Sequence, residues 1–185
     1  MPAITRQLML FPHRGTRHDA LRSLNAEINL ENATLRARYR LNADMQRIRI
    51  VPPGEPGGRA NGLWRHTCCE VFIALADTAR YYELNFSPAR QWAAYEFDSY
   101  RVGMQVLNIA AEPQITVKKS AHGLELEAVV PLNGSLAADA GRPRRIAVTA
   151  IVELEDGTLC YWSARHPQGK PDFHHPDGFV LELGT

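Results

Sequence analysis

No apolar run in the 185-residue chain approaches the ~20 residues that a membrane-spanning helix needs. The start of the chain, MPAITRQLMLF, has too short an apolar segment for a secretory leader, and no small-residue cleavage site follows it. The address expected from this is the cytoplasm. Charge of one sign is also missing: Lys and Arg number 21 against 20 Asp and Glu, a formal net charge of +1. Phosphate binding needs a concentrated basic surface, so no nucleic-acid partner is expected. Cysteines number only three, and Cys68 and Cys69 are adjacent, which suits neither an ordinary disulfide nor a zinc site. Buried thiols in a reducing compartment are the expectation. The chain shows no G-x-S-x-G elbow, no glycine-rich phosphate loop between a strand and a helix, no H-E-x-x-H, no repeat and no low-complexity stretch.

What is present is period two. Leu35, Ala37, Tyr39 and Leu41 alternate with Arg36, Arg38 and Arg40, the pattern of a strand with one wet face. Further strands are predicted at residues 4–11, 26–30, 46–51, 68–75, 81–86, 91–97, 113–118, 124–130, 145–155, 159–165 and 179–183. Asp156-Gly157 is a hairpin signal. Residues 134–141 could hold a short helical turn. Residues 52–62, PPGEPGGRANG, and 166–178, HPQGKPDFHHPDG, read as the two long loops. Many short strands at regular spacing and little helix predict one all-β domain over residues 1–185: a two-sheet antiparallel β-sandwich, jelly-roll-like, with a closed barrel as the alternative. Free edge strands could pair two copies into a homodimer.

The chain is organised around residues 63–104, read as three strands in succession. Tyr82, Leu84 and Phe86 are apolar and should face the core. Glu83 and Asn85 then look the other way or into a polar cleft, and the sequence leaves that choice open. Trp92, inside an alternating strand, reads as core. Trp64 and Trp162, at strand ends beside the long loops, read as core or cleft. An indole plane can cover the apolar face of a sugar ring while carboxylate, amide and guanidinium groups bond its hydroxyls. Glu83, Asn85, Arg101, Asp172 and His174 supply that set. A metal-assisted enzyme using His66, His166, Asp172 and His174 is the competing reading, since imidazole with carboxylate suits zinc or iron. In the closing PDFHHPDG stretch, the plainer reading has Asp and His capping backbone amides and Phe173 plugging the core.

The blocks LW-x-x-TC-x-E-x-F, YYELNFSP, WAAYEFD-x-YR-x-GM and PDFHHPDGFVLEL together resemble the DOMON-like superfamily, and in particular domains related to family 9 carbohydrate-binding modules. The resemblance covers residues 63–104 and 162–183. It implies a β-sandwich with a pocket for sugars or, in some relatives, haem. It places Trp64 and Trp162 on either side of the ligand, Glu70, Glu83, Asn85 and Arg101 at polar positions, and Asp172, Phe173 and His174 in the closing motif; His166, a polar neighbour of Trp162 in the sequence, joins the expected ligand-binding set. The function expected is a non-catalytic domain that binds a saccharide or sugar derivative, with no catalytic residue, metal or cofactor assigned. Haem held by Met104 and His66 is a further alternative.

Overall fold

The computed structural model describes residues 4–50, 57–75, 77–132, 136 and 144–183. Its strands, in chain order, are β1 (Ile4–Pro12), β2 (Leu21–Glu31), β3 (Thr34–Ala43), β4 (Gly58–Arg59), β5 (Cys68–Leu75), β6 (Tyr81–Phe86), β7 (Gln91–Phe97), β8 (Gln105–Val106), β9 (Gln114–Ser120), β10 (Gly123–Pro131), β11 (Arg144–Glu153), β12 (Leu159–Ser163) and β13 (Leu181–Leu183). The domain is all-β, as expected. None of the described helical segments at Arg14–Thr16, Met45–Arg47, Leu63–Arg65 and Pro176–Gly178 exceeds a single 3-10 turn.

The expected pair of separate sheets is not what the ladders give. Hydrogen bonding runs unbroken through β4-β7-β6-β5-β11-β12-β1-β2-β3-β10-β9. β1 belongs to both halves: Ile4 to Leu10 pair with β2, while Phe11 and Pro12 pair with Ser163 and Trp162 of β12. A strand that changes partners in this way joins two layers at a corner. The result is one curled sheet that encloses a core. Among the described residues the antiparallel order has one exception, since β4 runs parallel to β7.

In the first half (β1, β2, β3, β10, β9) the alternation is clean. Leu35, Ala37, Tyr39 and Leu41 are buried and meet Val130, Ala128, Leu126 and Leu124 of β10 on the same side. The β2–β3 hairpin turns on Asn32 and Ala33, both at positive φ (48° and 55°), as a two-residue turn matched to strand twist requires. In the second half (β7, β6, β5, β11, β12) nearly every residue is buried on both faces. One face, with Val71, Ile73, Tyr82, Leu84 and Phe86, closes the large core against the first half. The Tyr39 hydroxyl crosses that core and donates to the Glu70 carbonyl at 2.6 Å. The other face carries a second apolar cluster, including Phe72, Tyr81, Tyr95, Phe97 and Ile151.

Over its described residues, 46–50, the strand predicted at 46–51 does not form. Met45–Arg47 is a 3-10 turn capped by the Asp44 side chain, followed by a single bridge from Ile48 to Leu154. The capping aspartate redirects the backbone before a ladder can start. Of the expected helical turn at 134–141 only Leu136 is among the described residues, and it is helical; the first part of the 52–62 loop lies outside them. The Asp156-Gly157 hairpin is present, with Gly157 at φ 86°. All three cysteines are buried and free, and burial pushes the thiols of Cys68, Cys69 and Cys160 up, Cys160 to about 11.

Candidate functional site

The second half of the sheet turns a polar row outward. Register sets Asn85 of β6 opposite Glu70 of β5, and Glu70 opposite Thr149 of β11, so the three lie side by side on one face. Glu83 sits two residues along from Asn85 and therefore on the same face. Tyr82, Leu84 and Phe86 fill the large core, which settles the parity the sequence left open. Glu70 and Glu83 are 2% and 4% exposed, and Asn85 is fully buried. Thr149 donates to Glu70 Oε2 at 3.0 Å, and Asn85 Nδ2 donates to Glu83 Oε1 at 2.8 Å. Asn85 Oδ1 is buried without a hydrogen-bond partner.

Three covering segments turn this face into a cavity of about 330 Å³. The Leu63–Arg65 turn brings Trp64, whose ring meets Tyr95 edge to face at 5.7 Å. Residues 98–104 bring Arg101 and Met104. They bend so tightly that a Cβ on Gly103 would lie 2.1 Å from Asp98 Oδ2. The closing loop brings Pro171, Phe173 and His174. Phe72, Phe97, Ile151 and Tyr161 complete the walls, above Glu70 and Glu83.

A hydrogen-bond chain holds one side in place. Arg101 adopts a left-handed φ of 57°, and its backbone N–H donates to the Tyr81 hydroxyl at 3.2 Å. The same Tyr81 hydroxyl is hydrogen-bonded to His174 Nδ1 at 2.8 Å, and His174 Nε2 lies 3.9 Å from Glu83 Oε2. Asp172 Oδ1 accepts from Arg101 Nη2 at 2.7 Å and from the His174 backbone at 3.1 Å, while Asp172 Oδ2 accepts from Tyr100. The electrostatics follow from burial. Desolvation and the neighbouring Glu83 charge push the Glu70 carboxyl well above the usual range, against the Thr149 bond. Desolvation pushes Glu83 up to about 7, against the Asn85 bond and the Arg101 charge. Burial, helped by Arg101, lowers His174 to about 4, so its imidazole is neutral at pH 7. Asp172 is held below its ordinary value despite burial, through its Tyr100 and Arg101 bonds.

Of the nine residues singled out from the sequence, five line the cavity together: Trp64, Glu70, Glu83, Arg101 and His174. Asn85 and Asp172 lie behind them and bond to Glu83 and Arg101. Trp162 is elsewhere. It is 3% exposed and packed in the large core, and its neighbour Tyr161 reaches the cavity in its place. The strand period decides this, because Trp162 shares the inward parity of Cys160. His166 donates to the Phe11 carbonyl at 2.9 Å, behind Phe173, and does not line the cavity. His66 lies against Glu153, 2.7 Å away, so His66, His166, Asp172 and His174 do not converge. No group of three or more His, Cys, Asp or Glu among the described residues is placed to hold a metal ion. Met104 lines this cavity while His66 lines a different one. Tyr81, Tyr161 and Thr149 were not legible as site residues. Only pairing of β11 with β5 and β12 brings Thr149 and Tyr161 to the carboxylates.

No family model matches the sequence, and no curated protein does. Among solved structures, the chain superposes on a candidate carbohydrate-binding protein from Bacteroides uniformis with a TM-score of 0.68 and 15% identity. The match covers 95% of this chain and 84% of that one. At that identity the likeness shows the fold: an all-β architecture shared over nearly the whole length.

Proposed function

We propose that the chain is a non-catalytic binding domain whose cavity holds a saccharide or sugar derivative, in the manner of the DOMON-like and family 9 carbohydrate-binding domains it resembles. The observation that carries this reading is the cavity itself: aromatic walls above a floor of buried hydrogen-bonding groups, in a volume near the lower end of the ~300–1,000 Å³ typical of small-ligand sites. The fold likeness to a candidate carbohydrate-binding protein supports the same reading. Trp64 and Tyr161 would pack on ring C–H faces, and Glu70, Glu83 and Arg101 would bond hydroxyls, with Asp172 fixing Arg101. The amide network of Asn85 and the neutral His174 would complete the polar side.

Titration calorimetry against monosaccharides, disaccharides and sugar phosphates tests this. One sugar class should bind, and Trp64→Ala should weaken it about tenfold or more without lowering the melting temperature much, because Trp64 sits at the rim of its cluster. Binding that survives Trp64→Ala unchanged would move the ligand out of this cavity.

A further inference from the structure

The floor of the cavity is oversupplied with acceptors. Glu70 and Glu83 are diagonal neighbours on adjacent strands, within reach of one small group placed between them. Beside them Asn85 Oδ1 is fully buried and accepts nothing. The donors facing them are few. Thr149 and Asn85 Nδ2 each satisfy one carboxylate oxygen, and His174 Nε2 stays 3.9 Å from Glu83. Arg101 is the one cationic side chain among the described residues lining the cavity, and Asp172 takes its guanidinium at 2.7 Å. A buried carboxylate without a cation is costly, and a second one beside it more so. A neutral hydroxyl brings one donor and no charge. An ammonium brings three donors and the missing positive charge.

We propose that the ligand carries a protonated amino group, seated between Glu70 and Glu83, and that the cavity selects an amino sugar over its neutral counterparts. This rests on the saccharide reading above. The walls fit the same chemistry, since ring faces of Trp, Tyr and Phe attract an organic cation. A metal ion fits less well, because no third His, Cys, Asp or Glu among the described residues completes a ligand set with the two carboxylates. Burial raises both carboxyls, and the neighbouring Glu83 adds to the rise at Glu70, so the site sheds its charge by holding protons that an ammonium would displace as it binds.

The test is a calorimetric comparison of D-glucosamine, D-galactosamine and D-mannosamine with the parent hexoses and the N-acetylated hexosamines, with ethanolamine as the amine that lacks a ring. At least one hexosamine should bind about tenfold or more tighter than its hexose and its N-acetyl form. Glu83→Gln should abolish that preference while the melting temperature stays at or above that of the unsubstituted protein, and Glu70→Gln should repeat the result independently. Equal affinity for hexose and hexosamine would overturn the charge assignment and leave the saccharide reading standing. Binding of ethanolamine as tight as any hexosamine would keep the charge and remove the saccharide. Failure of every amine to bind would overturn the proposal.

Discussion

Both halves of the curled sheet carry charge on the face turned away from the large core, and they treat it in opposite ways. On the first half, Arg36 and Arg38 close on Glu127, and Arg40 donates to Glu125 at 2.9 Å. Each charge has a partner of opposite sign and each pair is reached by water. On the second half, Glu70 and Glu83 lie side by side, buried, with Thr149 and Asn85 as their hydrogen-bond donors. The first arrangement is a solvated, self-satisfied surface. The second is an unbalanced one that folding alone does not reward. A charged row is therefore informative through its partners rather than its composition: the arginine ladder, conspicuous in the sequence, is used up internally, and the two scattered glutamates are not.

The largest effect that would break this comparison is on packing. If the outward face of the second half is a second core, Phe72→Ala should cost about 3–5 kcal/mol in denaturant unfolding. Phe72 is 1% exposed and packs edge to face on His174 at 5.1 Å and Phe179 at 6.3 Å. A loss below about 1 kcal/mol would mean that this face behaves like the wet face of the first half.

Next in size is pH. Glu83 has a folded value of about 7 against an ordinary 4.5. Its contribution to stability is full below about pH 4.5 and is lost as pH rises through 7, because the unfolded chain gives up its proton first. Glu70, also raised, acts with the same sign. His174, lowered to about 4, acts with the opposite sign: its contribution is present above its ordinary 6.5 and lost as pH falls through 4. The carboxylates and the imidazole therefore oppose each other between about pH 4.5 and 6.5, and only the carboxylate slope remains above that. Glu83→Gln should become progressively more stable than the parent from pH 4.5 to 7, by a few kcal/mol at ~1.4 per pKa unit. Parallel stability curves for the two proteins would show that Glu83 is not held protonated.

Much of this contrast was legible in the sequence, and the limits have physical causes. The strict Leu35 to Leu41 alternation gave the wet face of β3 directly, because one side of that strand meets water. The Glu83 and Asn85 parity could not be fixed, because both faces of β6 are buried and the pattern no longer separates inside from outside. The same loss of contrast hid the exchange of Trp162 for Tyr161: β12 offers two adjacent aromatics, and only its pairing with β11 assigns them. His66 and His166 shared a residue type with the site but not a location, since Glu153 holds one and the Phe11 carbonyl the other. The joining of the two layers through β1 depends on a change of partner within one strand, which leaves no mark in period two.

The smallest effect should come from the most heavily charged surface. Glu127 is the shared acceptor for Arg36 and Arg38, with side-chain exposures of 17% against 43% and 29%. Removing its charge in Glu127→Gln keeps the shape and leaves Arg36 free to turn toward water, while Arg38 keeps Glu27 at 3.6 Å. Side-chain ordering and solvent screening offset most of the Coulomb gain in such pairs, so the loss should be about 1 kcal/mol or less at 0.1 M salt. It should shrink further at 1 M salt, where the screening length falls to ~3 Å. Ligand affinity should not change, since the large core lies between this face and the cavity. A loss of several kcal/mol that resisted salt would mean that the arginine ladder is buried in use, covered by a partner or a second copy, and the contrast between the two halves would then be one of partners rather than of function.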